Sequence, residues 1–161
     1  MNAKVTTYTS RTQGFWQTHV VDTHAWWGVG AGQCLAGVTT SNSAGQDRVL
    51  GGFWASVSSK TDGKKRSASD KNRMILLQQL LAAILNNKAF GSVPTGAISI
   101  TDATTTLCNP TATNRQINDA AGAMGMFNEG GDNGYYAHLS KADPALAQRL
   151  ANKTYWNVVI H

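Results

Sequence analysis

Charged side chains are scarce in this chain: they make up 14% of its 161 residues, against about 25% in average soluble proteins. Serine, threonine, asparagine, glutamine and glycine fill the surface instead, a composition that suits proteins working outside cells. Cysteine is nearly absent too. The two cysteines, Cys34 and Cys108, include no CxxC pair, which excludes the usual structural zinc motifs. They can form one disulfide across a long loop, contributing about 2–4 kcal/mol, or stay as two small buried thiols; the sequence leaves both open. There is no phosphate-binding Walker loop, no GxSxG and no dinucleotide fingerprint, so the motif-defined nucleotide, hydrolase and dehydrogenase classes find no support. No residue pattern calls for a cofactor. The opening MNAKVTTYTS has no apolar core of a signal peptide. The expectation is a cytoplasmic protein, or a mature or recombinant form from which a signal has been removed. No internal repeat and no long linker divides residues 1–161, so one domain is expected.

The strongest positive feature is Ser69–Gly91, SDKNRMILLQQLLAAILNNKAFG. Met74, Leu77, Leu81 and Ile84 recur at helical spacing, and Leu80 and Leu85 widen the stripe. Ile75, Leu76, Ala82 and Ala83 leave little polar surface in the middle. Such a helix belongs inside a domain, covered by several partners. Ser67 or Ser69 suits its N-cap, Asp70 and Lys88 suit its two dipole ends, and Gly91 suits a left-handed stop. Its length would span a bilayer, but Gln78, Gln79, Asn86 and Asn87 argue against a transmembrane segment.

Shorter elements flank it. Lys4–Thr9, KVTTYT, alternates like a strand. A helix is expected from about Phe15 to Trp27, and Gly28–Ser43 reads as loop. Asp47–Ser58 has helical spacing at Val49, Leu50, Phe53, Trp54 and Val57. Ala97–Thr106, AISITDATTT, reads as a strand or loosely ordered segment. Asn109-Pro110 suits a helix start, followed by a helix from Arg115 to Phe127. Asp143-Pro144 starts a last helix, and Tyr155–Ile160 makes an apolar strand or tail. The expected fold is mainly α with an α+β element: a buried central helix packed by three or four shorter helices, with short terminal strands and possible extended segments at 1–10 and 154–161.

Several groups suggest chemistry, each with a plainer reading. His19, Asp22 and His24 are good zinc ligands. On a helix His19 and His24 lie about 140° apart around the axis, unlike an HExxH pair, so hydrogen-bonded histidines beneath tryptophans are the favoured reading. Cys34 with either histidine is a conceivable nucleophile, but AGQCLAG offers nothing to lower a thiol pKa. Trp16, Trp26, Trp27 and Trp54 can stack on sugar rings. Core packing is favoured for Trp16 and Trp54, whereas adjacent Trp26 and Trp27 point about 100° apart on a helix and cannot both face one core. Glu129, Asp132 and Asn133, with Asn128, supply oxygen ligands on a glycine-rich loop, though not at EF-hand spacing; a helix-ending turn is favoured. The net charge of +5 comes partly from one cluster, Lys60, Lys64, Lys65 and Arg66, followed by Lys71 and Arg73. That cluster suits polyanions, with a solvated loop as the plainer reading. No aromatic interleaves with it, so a nucleic-acid partner is not expected.

RTQGFWQTH at 11–19, GGFWASVS, and GKKRSASDKNRMILLQQLLAAILNNKAFG resemble a little-characterised group of secreted bacterial and archaeal surface proteins. That group shares a TxG[FY]WKxHP-like start and a leucine-rich LxxQL[IL]AAxLN helix. The likeness covers roughly residues 11–91, with MFNEGGDNG similar to a further segment. Gln17 and Val20 depart from the pattern, standing where the group has Lys and Pro. The resemblance implies export and a cell-surface or matrix setting, and it carries no catalytic residues. The resulting expectation is a non-catalytic extracellular or cell-surface module acting by self-assembly or ligand binding, with proteins, glycans or its own copies as partners. Trp26, Trp27, His19, His24, Lys64 and Lys65 are its candidate contact residues. The alternatives are a metal-dependent hydrolase using His19, Asp22 and His24, and a polyanion-binding module working through Lys60–Arg73.

Overall fold

A run this apolar cannot stay in water, and the rest of the chain folds to cover it. In the computed structural model, which describes residues 8–26, 28–30, 32–132 and 140–161, the run forms a helix over Ala68–Phe90. In chain order the α-helices are α1 (Gln13–Thr18), α2 (Val20–His24), α3 (Ser43–Trp54), α4 (Ala68–Phe90), α5 (Ile100–Cys108), α6 (Asn114–Gly130) and α7 (Pro144–Leu150). Short 3-10 turns occupy Gln33–Leu35 and Thr154–Asn157. They form one mainly helical domain around α4, which packs against α6, α5, α3 and α1.

The ends of α4 are set by the expected residues. Ser67 caps its start by accepting from the Asp70 amide at 3.1 Å, and Gly91 ends it at φ 69°. Leu76, Leu77, Leu80, Leu81 and Leu85 are fully buried, each worth roughly 1.5–3 kcal/mol. Ile84 is half-buried, and Ile75 is the large apolar side chain of α4 left facing water. Two glycines let α3 come close. A Cβ at Gly51 would overlap the Asn152 carbonyl, and one at Gly52 would lie 2.6 Å from the Leu81 side chain. Trp156 fills the space beside them, fully buried, its indole N–H donating to the Arg48 carbonyl at 2.8 Å.

Several expectations are corrected. The helix expected over Phe15–Trp27 is two helices broken at His19, whose φ of −99° and ψ of 77° leave the helical region. The His19 ring and the Thr18 hydroxyl hydrogen-bond to carbonyls of the preceding turn, the local competition that unsettles helices. Ala97–Thr106 is not a strand. Ser99 and Asp102 form a reciprocal capping box that starts α5, and Ala103 and Leu107 bury its inner face. Pro110 lies in the turn before α6, which starts instead from a Thr113–Gln116 capping box. Among the described residues there is no strand, only an isolated bridge between Ser59 and Lys65. Of the strand or tail expected over Tyr155–Ile160, the strand is not seen: the segment is a 3-10 turn and an irregular tail that bury Trp156 and Val159 within their own domain. Of the expected N-terminal strand, Lys4–Thr7 lie outside the described residues; Tyr8 and Thr9 are irregular. No helix among the described residues is long and apolar enough to cross a membrane.

Candidate functional site

The histidines and the acid between them do not converge. The ring Nδ1 of His19 lies 2.8 Å from the Phe15 carbonyl, and the ring stacks on Phe15 with centroids 3.9 Å apart. Asp22 is buried and accepts from the Ser140 amide at 3.0 Å and from the Ser140 hydroxyl. His24 is half-buried, and its Nε2 has no hydrogen-bond partner among the described residues. Burial holds its pKa below the ordinary imidazole value, while Asp47 and the Gln46 backbone pull the other way. No group of three His, Cys, Asp or Glu side chains able to hold a metal occurs among the described residues. Cys34 and Cys108 are joined in a disulfide, with Cα atoms 5.4 Å apart and a separation of 74 positions in sequence. It fastens the first 3-10 turn to the end of α5, so neither sulfur is a thiol nucleophile.

The tryptophans divide. Trp16 is fully buried and donates to the side-chain amide oxygen (Oδ1) of Asn86 at 3.1 Å. Trp26 is half-buried and packs on the core, and its partner in the adjacent pair, Trp27, lies outside the described residues. Trp54 is half-buried, with its indole N–H on the Gln17 carbonyl at 3.0 Å.

The glycine-rich loop residues belong to a polar seam joining the N-terminal segment to α4 and α6. Asn86 accepts from the Arg11 amide at 2.7 Å and from Trp16, and donates to the Arg11 carbonyl and to Asn128. Asn128 donates to the backbone and side-chain oxygens of Gln79, both at 2.9 Å. Ser10 and Gly131 exchange hydrogen bonds across the same seam. Asp132 pairs with Arg11 at 2.9 Å, so it is engaged as an ion-pair partner. Glu129 is exposed, and Asn133 lies outside the described residues. The seam borders a shallow cleft of about 390 Å³, lined by Arg11, Gly14, Phe15, Thr18, His19 and Asp132 among others.

The basic cluster splits into two populations. Lys64 and Lys65 are exposed on the turn closed by the Ser59–Lys65 bridge. Arg73 is buried and donates to the Asn109 carbonyl at 2.7 Å and to the Ser69 hydroxyl. Arg66 also turns inward. Only 4% of it is exposed, and it donates from Nε to the Ser56 carbonyl at 2.9 Å and from Nη1 to the Trp156 carbonyl at 2.6 Å. It forms no ion pair within 4.0 Å among the described residues. Burial lowers its pKa, and Asp70 raises it from a longer distance. Arg66 lies on a cleft of about 330 Å³, lined also by Trp54, Ser56, Ser59, Lys60 and Lys153.

Sequence reasoning missed Lys153, which lies 87 positions after Arg66 with no motif to connect them. It also missed the inward turn of Arg66. The one available signal is the two-residue alternation of a short bridged segment, which sends Arg66 to the side opposite Lys65. Comparison of the chain with protein-family models, curated proteins and solved structures finds no match.

Proposed function

We propose that this protein is a non-catalytic module of the extracellular space or cell surface, acting by self-assembly or by binding other surface components. The observation that carries this reading is how the reactive side chains are engaged. His19 holds the α1 backbone, Asp22 holds Ser140, and Cys34 holds Cys108. The metal-dependent hydrolase alternative through His19, Asp22 and His24 draws no support from a His19 and an Asp22 held by separate partners. The disulfide favours an oxidising compartment, in keeping with the export implied by the signature-like start at Thr12–His19. A 74-residue separation corresponds to about 4 kcal/mol of loop-closure entropy, so reduction should lower Tm by about 10 °C.

For assembly the two termini differ. Trp156 and Val159 are buried in their own domain, which leaves the C-terminal tail poorly suited to complete a neighbour. Residues 4–7 of the β-branched KVTTYT segment retain that reading from their sequence, by strand addition to another copy, whereas Tyr8 stacks on Phe127 and donates to its carbonyl within its own domain. Light scattering after size exclusion, with negative-stain imaging across a concentration series, tests it. Growth beyond the monomer that is lost on deleting residues 1–7 is expected. Compact monomers at every concentration would overturn assembly.

A further inference from the structure

We infer that the cleft between the end of α3, the 59–66 turn and Lys153 receives the acid group of an acidic glycan, a carboxylated or sulfated sugar. The inference rests on the reading of the protein as a binding module, and it names the partner class and the place. Its starting point is Arg66. A buried guanidinium is costly unless a counter-charge or full hydrogen bonding offsets its lost hydration. Arg66 is 4% exposed, and two of its nitrogens are taken by the Ser56 and Trp156 carbonyls. Its Nη2 is not a buried unpartnered donor but reaches the cleft surface, and among the described residues no carboxylate lies within 4.0 Å of the guanidinium. Arg11 has equal burial and does have a carboxylate, Asp132.

Lys60 and Lys153, both half-buried, line the same cleft, and no acidic side chain does. Asp70 is the carboxylate that Arg66 feels, from beyond ion-pair range. Asp62 is exposed at the turn tip, accepting from the Lys64 amide at 2.9 Å. Three cations around one half-open recess concentrate positive potential there. A nucleic-acid backbone would call for a row of cations instead; the exposed row of Lys64 and Lys65 lies outside the cleft lining. The other walls are the Trp54 indole and the hydroxyl-bearing Ser56, Ser59 and Thr61. An aromatic wall beside hydroxyls and a focused positive charge matches a sugar ring bearing one acid group. A volume of about 330 Å³ sits at the small end of ligand clefts, roughly 300–1,000 Å³.

The experiment is calorimetric titration of the full chain with a galacturonic-acid trimer, a heparin-derived tetrasaccharide, a neutral N-acetylglucosamine trimer, poly-glutamate and sodium sulfate. At least one acidic glycan is expected to bind more tightly than the neutral one, with affinity falling as salt rises. Binding of only one of the two identifies the acid group as carboxylate or sulfate. K153E and K60E should each weaken binding about ten-fold, as charge reversals beside a desolvated partner do. K64E and K65E, outside the cleft, should change it less than about three-fold. Both lysine sites of the cleft are partly exposed, so these variants test binding without removing the buried Arg66, and circular dichroism checks their folding. Equal losses at Lys64 and Lys153 would mean diffuse attraction and overturn the inference. So would binding of poly-glutamate or sulfate as tight as any glycan, or no glycan binding. None of these results would bear on particle growth, which tests assembly separately.

Discussion

Arg11 and Arg66 are each only 4% exposed, yet the molecule treats them in opposite ways. Arg11 sits in a closed seam, with Asp132 at 2.9 Å and Asn86 on both its backbone groups. Arg66 is held by two carbonyls and faces a cleft whose other charges are lysines. Buried polarity that closes on itself fixes one packing arrangement. Buried charge left without its counter-ion is a cost that persists only if something offsets it. The same residue type at the same depth thus belongs to a closed polar seam in one place and borders an open cleft, the proposed seat of an acid group, in the other.

The largest expected effect tests the closed end. Asn86→Leu removes four buried hydrogen bonds, to the Arg11 amide and carbonyl, Trp16 and Asn128. At roughly 1–3 kcal/mol for each buried group left unpaired, the loss should be about 4–6 kcal/mol in denaturant unfolding. A loss under about 2 kcal/mol would show that the seam is not the closed network its geometry implies. Asp132→Ala probes the ion pair directly. Its side chain is 40% exposed, so the cost should be about 1–2 kcal/mol, below that of a fully buried pair. Lys153→Gln probes the open end and should change stability by less than about 0.5 kcal/mol, because no partner is lost. A drop of several kcal/mol there would place Lys153 in the scaffold and collapse the contrast.

His24 is an intermediate case, half-buried with one ring nitrogen unpartnered among the described residues. Its pKa is lowered in the fold, chiefly by burial. The folded protein therefore binds this proton less readily than the unfolded chain. The stability contribution is complete above the unfolded value near 6.5 and is lost as pH falls toward the lowered folded value. Melting temperature should drop between pH 7 and pH 5, with a shallower drop in His24→Gln. Equal slopes would remove His24 from the account.

The central helix was legible because several local signals agreed: the apolar stripe, Ser67, Asp70, Lys88 and Gly91 all fix the same element. Between the two candidate caps, the structure selects Ser67. AISITDATTT misled because its β-branched residues weigh toward strand, a weak preference that a capping box and a buried face override. Tyr155–Ile160 misled for the same compositional reason; with no neighbouring strand to pair, the segment packs Trp156 instead. The break at His19 depends on side-chain bonds to the turn before it, which apolar periodicity does not register. The cleft was illegible because it is assembled from Trp54, Lys60, Arg66 and Lys153, and a run of basic letters does not reveal which of them turns inward. The disulfide was one of two readings left open, since a separation of 74 residues says nothing about distance in space.

The seat of Trp156 governs when the chain can finish folding. Its indole bonds to a carbonyl 108 positions earlier and lies against the glycine face of α3. A polypeptide emerging from its N-terminus therefore makes the whole central rod long before the ring that seals one flank of it. Until that residue arrives, the flank stays open to water and to other greasy surfaces. Sealing of that flank therefore waits until the segment around Trp156 has been made.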